Sequence, residues 1–172
     1  AGARYRFGYD WLRELAPLME RRVPRSEQSV HIIDQFLDVA HFLGADVSNP
    51  EFPLDIPESE DRIAIDLLSS EGVDPAQPFI VINASSGGGG NKGWGVEHFA
   101  ASINLLTIDP GLPIVLIGSK GDIEVNRAIM QKLERRPADL VGKTNLKQLA
   151  AVLKNSRLHL CGDTGSAHMS AA

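Results

Sequence analysis

Two runs of small and polar residues carry the chemistry of this sequence. The first is Asp163-Thr164-Gly165-Ser166-Ala167-His168, which follows the apolar stretch Leu158 to Cys161 and runs into Met169-Ser170-Ala171-Ala172. It predicts a strand, a tight turn and the start of a helix. Gly165 lets a ligand approach the backbone, Thr164 and Ser166 offer hydroxyls, and the first N–H groups of a helix carry partial positive charge. Such a corner suits phosphate. His168 falls about one turn into that helix, on the ligand side if the turn is the ligand site. An ordinary N-capped helix with a solvated histidine accounts for the same residues.

The second run is a strand-like stretch, Phe79 to Ala84, followed by Ser85-Ser86-Gly87-Gly88-Gly89-Gly90-Asn91-Lys92-Gly93-Trp94. Four successive glycines are costly in backbone entropy. Two hydroxyls before them and a lysine after them make sense in a loop that folds around an anionic group and supplies a cation. A plain surface loop is the competing reading.

The elements that must position these runs follow from the apolar pattern. From residue 79 onward the sequence predicts a strand at 79–84, a helix at about 96–106, a strand at 113–117 and a helix at about 122–134. A short strand near 140, a helix at 146–154 and a strand at 157–161 complete the series. Alternating β and α implies a parallel sheet, with ligands bound beyond the carboxyl ends of its strands. The loops at 85–93, 118–124 and 162–168 all leave from those ends, which predicts one shared nucleotide pocket. Asp122 and Glu124, after Gly118-Ser119-Lys120-Gly121, fall at a helix start. There they can compensate the helix dipole or accept hydrogen bonds from ribose hydroxyls; the first role is favoured for Asp122, and Glu124 suits both.

Upstream, Trp11 to Met19 predicts a short helix. Ile32, Ile33, Phe36, Leu37, Ala40 and Leu43 form a core-facing helical stripe closed by Gly44. Three prolines between Asn49 and Pro57 predict an extended connector and a domain boundary. Ser59 is expected to cap a following helix, with Glu60 and Asp61 in its first turn and Gly72 at its end.

The chain has 172 residues, 43% of them hydrophobic, enough for one domain or one domain and part of another. No apolar run approaches the roughly 20 residues of a membrane span, and the first residues do not form a secretory signal. A single cysteine, Cys161, excludes an internal disulfide and allows a reducing cytoplasmic setting. The five histidines have no metal-ligand spacing with it, so no structural zinc is expected. The net charge of -5 is unevenly spread. Residues 26–78 hold twelve acids against Arg62, whereas 79–172 hold ten Lys or Arg against seven acids. A mildly basic far half fits a small anionic ligand; nucleic acid would require a much stronger basic face. Arg21, Arg22 and Arg25 can meet an acidic substrate or anionic lipid, or form a solvated face.

A strand ending in small hydroxyl residues, a Lys-x-Trp step, a later Gly-Ser loop and Asp-Thr-Gly-x-x-His before an Ala-rich helix occur here in order. In that ordered set the chain resembles glycosyltransferase family 9, the ADP-heptose:lipopolysaccharide heptosyltransferases, from the helix at 31–43 to the last residue and most strongly over 79–172. The resemblance implies an α/β GT-B-type fold. Residues 1–55 would be the tail of the N-terminal, acceptor-side domain with its linker, and 56–172 an incomplete Rossmann-like, nucleotide-sugar-binding C-terminal domain. It implies inverting transfer without an obligatory metal or cofactor, from an ADP-sugar donor, most simply ADP-heptose, to a lipopolysaccharide core acceptor. The setting implied is cytoplasmic, soluble or peripheral at the inner face of the inner membrane.

Carried over by position, Ser85 and Ser86 fall where the family contacts the donor diphosphate, and Lys92 on its phosphate-binding lysine. Glu124 matches the position near the ribose; Thr164, Gly165 and His168 match the turn that holds phosphate. Asp163 matches the position beside the donor sugar, and Gly142 to Leu146 would approach the adenine. Lys92, Asp163 and His168 are the implied catalytic set. Two departures stand out: Gly95 follows Trp94 where the family usually has Pro, and the four-glycine loop is unusually unconstrained. The chain also begins after the strands that carry the family's acceptor site and general-base aspartate. Alone it is therefore expected to bind donor weakly and turn over poorly.

Other readings fit less well. Gly88-x-Gly90-x-x-Gly93 formally matches the dinucleotide fingerprint of a nicotinamide oxidoreductase, but Ser85 and Ser86 separate it from the strand. The strand at 113–117 also ends at Gly118 without the acidic residue expected for ribose. A Walker loop fails because Gly93, not Ser or Thr, follows Lys92. A non-catalytic nucleotide-binding module remains as the alternative from another class.

Overall fold

The computed structural model describes residues 4–9, 21–24, 26–85 and 93–172. The helix expected over Trp11 to Met19 and the loop positions Ser86 to Lys92 lie outside the described residues. Two compact units divide between Phe52 and Pro53.

In the first unit, strands β1 (Phe7–Tyr9) and β2 (Arg21–Val23) pair in parallel, and helix α1 (Ile32–Phe42) follows. His31 caps α1 by accepting the Ile33 N–H at its Nδ1. Gly44, at φ +93°, ends the helix in the left-handed conformation that glycine tolerates best. The expected apolar stripe is only partly covered: Ile33, Leu37 and Ala40 are half-buried, whereas Ile32, Phe36 and Leu43 are exposed. The buried position on this helix is polar. Gln35 donates to the carbonyls of Ser29 and Val30, and Asp38 accepts from the Ser29 hydroxyl and the Ser26 N–H. The loop before α1 is thus held by side-chain hydrogen bonds, which a hydrophobic periodicity does not register.

The second unit opens with α2 (Glu58–Ser70), followed by β3 (Ile80–Asn83), α3 (Val96–Leu106), β4 (Ile114–Ile117) and α4 (Ile123–Met130). It continues with β5 (Ala138–Asp139), α5 (Leu146–Asn155), β6 (Leu158–Cys161) and α6 (Gly165–Ala171). The four strands form one parallel sheet in the order β5-β4-β3-β6. β3 and β4 are buried at every position, as strands covered on both faces must be. Their alternate side chains divide between two cores. Val81, Val115 and Ile117 pack with Ala64 and Leu68 of α2 and Ala151 and Val152 of α5. Ile80, Ile82, Ile114 and Leu116 pack with Phe99 and Ile103 of α3 and Ile129 of α4 on the other face.

Two local expectations differ. Ser59 lies inside α2, whose N-cap is Pro57 without a side-chain bond, because proline's fixed φ suits an entry where the N–H is not needed. Helix α4 stops at Met130 instead of running to about 134. Asn104 of α3 takes over the next backbone groups, donating to the Lys132 carbonyl and accepting from the Glu134 N–H, so a turn replaces the last helical turn. No helix among the described residues is long and apolar enough to cross a membrane.

Candidate functional site

The strand order fixes where a ligand would sit. From β3 the chain moves outward through β4 to β5, then returns to place β6 on the other side of β3. The crevice beyond the carboxyl ends of β3 and β6 is therefore the topological switch point, where open parallel sheets bind ligands. Asn83 and Ser85 leave β3 at this crevice, and Gly162 to Ser166 leave β6. The exits are close: a Cβ on Gly162 would lie 3.4 Å from the Ser85 carbonyl oxygen.

Polar side chains tie the two exits together. Asn83 Oδ1 accepts from both the Ser85 N–H (3.1 Å) and the Ser85 hydroxyl (2.6 Å). This sets the orientation of the amide, whose Nδ2 donates to Ser166 Oγ at 2.9 Å. His159 Nδ1 lies 3.2 Å from the Val81 carbonyl, which can only accept, so Nδ1 carries the proton. Its Nε2, 3.0 Å from Ser166 Oγ, then accepts that hydroxyl. Thr164 Oγ1, 2.8 Å from Ser166 Oγ, donates in turn to the Ser166 oxygen. Burial pushes the His159 pKa below its ordinary range, partly offset by the Val81 bond, and favours this neutral ring. Burial likewise raises the Cys161 thiol, against the lowering effect of Thr164 and Ser166.

Thr164 and Ser166 are 7% and 5% exposed, so their hydroxyls, expected to face a ligand, serve this internal network. What the turn offers outward is backbone. Thr164 is the N-cap of α6 but makes no side-chain cap bond. Gly165 is exposed, and a Cβ there would meet nothing within 4 Å. Asp163 and His168 are also exposed.

The exits of β4 and β5 form the neighbouring rim. Asp122 Oδ2 accepts from the Ser119 N–H (2.7 Å) and hydroxyl (2.6 Å), a capping arrangement that gives Asp122 a local structural role. Glu124 is exposed on α4 and accepts from Arg127 at 2.7 Å. Gly142, at φ +71°, donates its N–H to the Gly118 carbonyl at 2.9 Å, and a Cβ there would come within 3.1 Å of Lys120 Cγ. At the start of α3, Trp94 stacks on His98 at 5.8 Å and meets Phe99 edge-on at 5.1 Å. Gly95 has φ +91°, a conformation closed to proline, whose ring fixes φ near -65°. The Pro that the resemblance leads one to expect after Trp94 would not fit this conformation.

Of the sequence-predicted residues, Ser85, Thr164 and Gly165 come together at the β3 and β6 exits, with Asp163 and His168 on the same turn and helix. Glu124 lies beyond the β4 exit, while Ser86 and Lys92 lie outside the described residues. Sequence reasoning missed Asn83, His159 and Ser166 as a unit. The available signal was a polar residue in each of two otherwise apolar strands, Asn83 at the end of β3 and His159 inside β6.

The sequence model of glycosyltransferase family 9 (heptosyltransferase) matches residues 1–172. A lipopolysaccharide core heptosyltransferase, OpsX of Haemophilus influenzae, is 27% identical over 165 residues, covering 95% of this chain and 46% of that protein. A glycosyltransferase family 9 structure from Veillonella parvula superposes with a TM-score of 0.79 at 26% identity, over 98% of this chain and 48% of that one. The E. coli ADP-heptose lipopolysaccharide heptosyltransferase II gives a TM-score of 0.70 at 21% identity, over 99% and 54%. The chain thus spans about half the length of these relatives, and its expected fold class, α/β of the GT-B type, is theirs.

Proposed function

The chain belongs to glycosyltransferase family 9, the heptosyltransferase family, and we propose from that premise that residues 56–172 form the donor half of an enzyme that glycosylates the lipopolysaccharide core. In this reading residues 1–55 are the tail of the acceptor-side domain. The donor is a nucleotide sugar, ADP-heptose, the transfer inverts the anomeric centre, and no metal is obligatory. The enzyme works in the cytoplasm, at the inner face of the inner membrane. The observation that carries the reading is the meeting of the Ser85 and Thr164-Gly165 exits at the point where the strand order reverses.

The chemistry follows from charge. As the glycosidic bond breaks, negative charge grows on the departing nucleoside diphosphate, so donors fixed before the reaction stabilise the transition state more than the ground state. The backbone at Thr164-Gly165 and the Ser85 hydroxyl supply oriented dipoles. The Ser85 hydroxyl donates to Asn83 Oδ1, so it must rotate to donate to phosphate. Lys92, with Ser86 on the same loop, supplies the cation on the strength of the resemblance. Exposed Asp163 and His168 stand beside the donor sugar and the phosphates in the same scheme, and Glu124 reaches the ribose by releasing Arg127.

Calorimetric titration with ADP, UDP and NAD tests the reading. ADP is expected to bind best, and Lys92→Ala to weaken it; a preference for NAD would overturn the proposal. In the complete enzyme, Lys92→Ala should cost about a hundredfold in turnover, or ~3 kcal/mol. Unchanged donor-dependent turnover would remove Lys92 from the mechanism.

A further inference from the structure

We infer that Asn83 is a positioning residue that holds the two phosphate-facing strand exits in one register, through Ser85 on one side and the Ser166–His159 pair on the other. The inference rests on the donor-site reading above and adds to it a residue that touches no ligand.

The argument is one of valence. Asn83 is 7% exposed and ends the central strand. A buried amide is costly unless its donor and acceptor are both used. Here each serves a different exit: Oδ1 takes both polar hydrogens of Ser85, and Nδ2 reaches across 83 positions of sequence to Ser166 Oγ. Ser166 is the hub on the far side, since its single hydrogen goes to His159 and its oxygen accepts Asn83 and Thr164. His159 is anchored in turn on the Val81 carbonyl of β3. The turn at 164–166 is therefore attached to β3 by two routes, one through the Asn83 amide and one through the imidazole. Apolar residues of equal size would hold the exits together but would not fix their rotation. Directional bonds do: the Ser85 N–H to Asn83 Oδ1 keeps that exit oriented when the Ser85 hydroxyl turns to phosphate, and a phosphate held between the two exits depends on their rotation.

The test uses the full chain, ADP and adenosine, the latter lacking the diphosphate. Asn83→Ala and Ser166→Ala should each weaken ADP about tenfold, the weight of one hydrogen bond, while adenosine affinity stays unchanged. The double variant should lose little more than Ser166→Ala alone, because both routes to β3 pass through the Ser166 hydroxyl. Equal weakening of ADP and adenosine would mean a merely structural role and would overturn the inference. A second measurement needs no ligand: the imidazole nitrogen resonances of His159. Asn83→Asp is isosteric and still accepts from Ser85, but it cannot donate to Ser166 and draws that hydroxyl away from the ring, so the His159 resonances should shift. If they do not move while the unaltered protein binds ADP, the positioning role fails and the donor site stands. If the unaltered protein binds no ADP, the donor-site reading fails and the positioning role with it.

Discussion

Gly142 joins the β4 and β5 exits, and its replacement by alanine can be reasoned through in numbers. The residue has φ +71°, where a Cβ crowds the following carbonyl oxygen at a cost of about 1–2 kcal/mol. The added methyl would also lie 3.1 Å from Lys120 Cγ and 3.4 Å from Lys120 Cα. The first atom belongs to a flexible side chain and can move, whereas the second is backbone and cannot without shifting the Gly142–Gly118 hydrogen bond. A further ~1 kcal/mol for this crowding is reasonable. Gly72 provides the reference: its φ is +80°, but a Cβ there meets nothing within 4 Å. Gly72→Ala should therefore lose about 1 kcal/mol and Gly142→Ala about 2 kcal/mol in urea unfolding, with unchanged m-values. In a chain of this size that corresponds to a fall in Tm of roughly 2–4 °C and 4–8 °C respectively. Lys120→Ala removes Cγ but keeps Cα, so it should leave most of the Gly142→Ala loss in place. Equal losses at the two glycines would show that the two exits do not approach as described.

Two further outcomes follow from the candidate site. Gly165→Ala places a methyl where the protein offers no obstacle, so Tm should stay level or rise slightly, while ADP affinity falls if the ligand occupies that space; unchanged affinity would move the ligand away from this turn. The folded His159 pKa is depressed below its ordinary 6.5, so the unfolded chain binds the proton more tightly. Its contribution to stability is then complete above about pH 6.5 and is lost as pH falls through the lower folded value. Melting curves between pH 8 and 5 should show a decline that His159→Gln reduces, and an unchanged pH profile in that variant would argue against the buried neutral ring.

The alternation of strands and helices was legible because buried parallel strands are short apolar runs and their helices repeat at helical spacing. β3, α3, β4 and α5 lie within a residue or so of expectation for that reason. Departures occurred where a side chain from elsewhere replaced a local signal. Asn104 captured the backbone after Met130, and Gln35 filled the buried position that an apolar stripe seemed to reserve. Within the site, the glycine and hydroxyl runs announced themselves through composition. The direction in which Thr164 and Ser166 point did not, since it is decided by Asn83 and His159, residues that read in sequence as the end of one strand and the middle of another.

β6 pairs along its length with β3, joining Leu158 to Ile80, although α3, β4, α4, β5 and α5 all intervene in sequence. Closing so long a loop is entropically slow, and none of the β6 residues is fully buried. During synthesis the β3–β4 pair can form well before β6 is available. The corner between β3 and β6 comes into existence only when β6 docks. A nucleotide bound there would act as a latch on that docking, favouring the paired strands by mass action in proportion to its concentration over its dissociation constant.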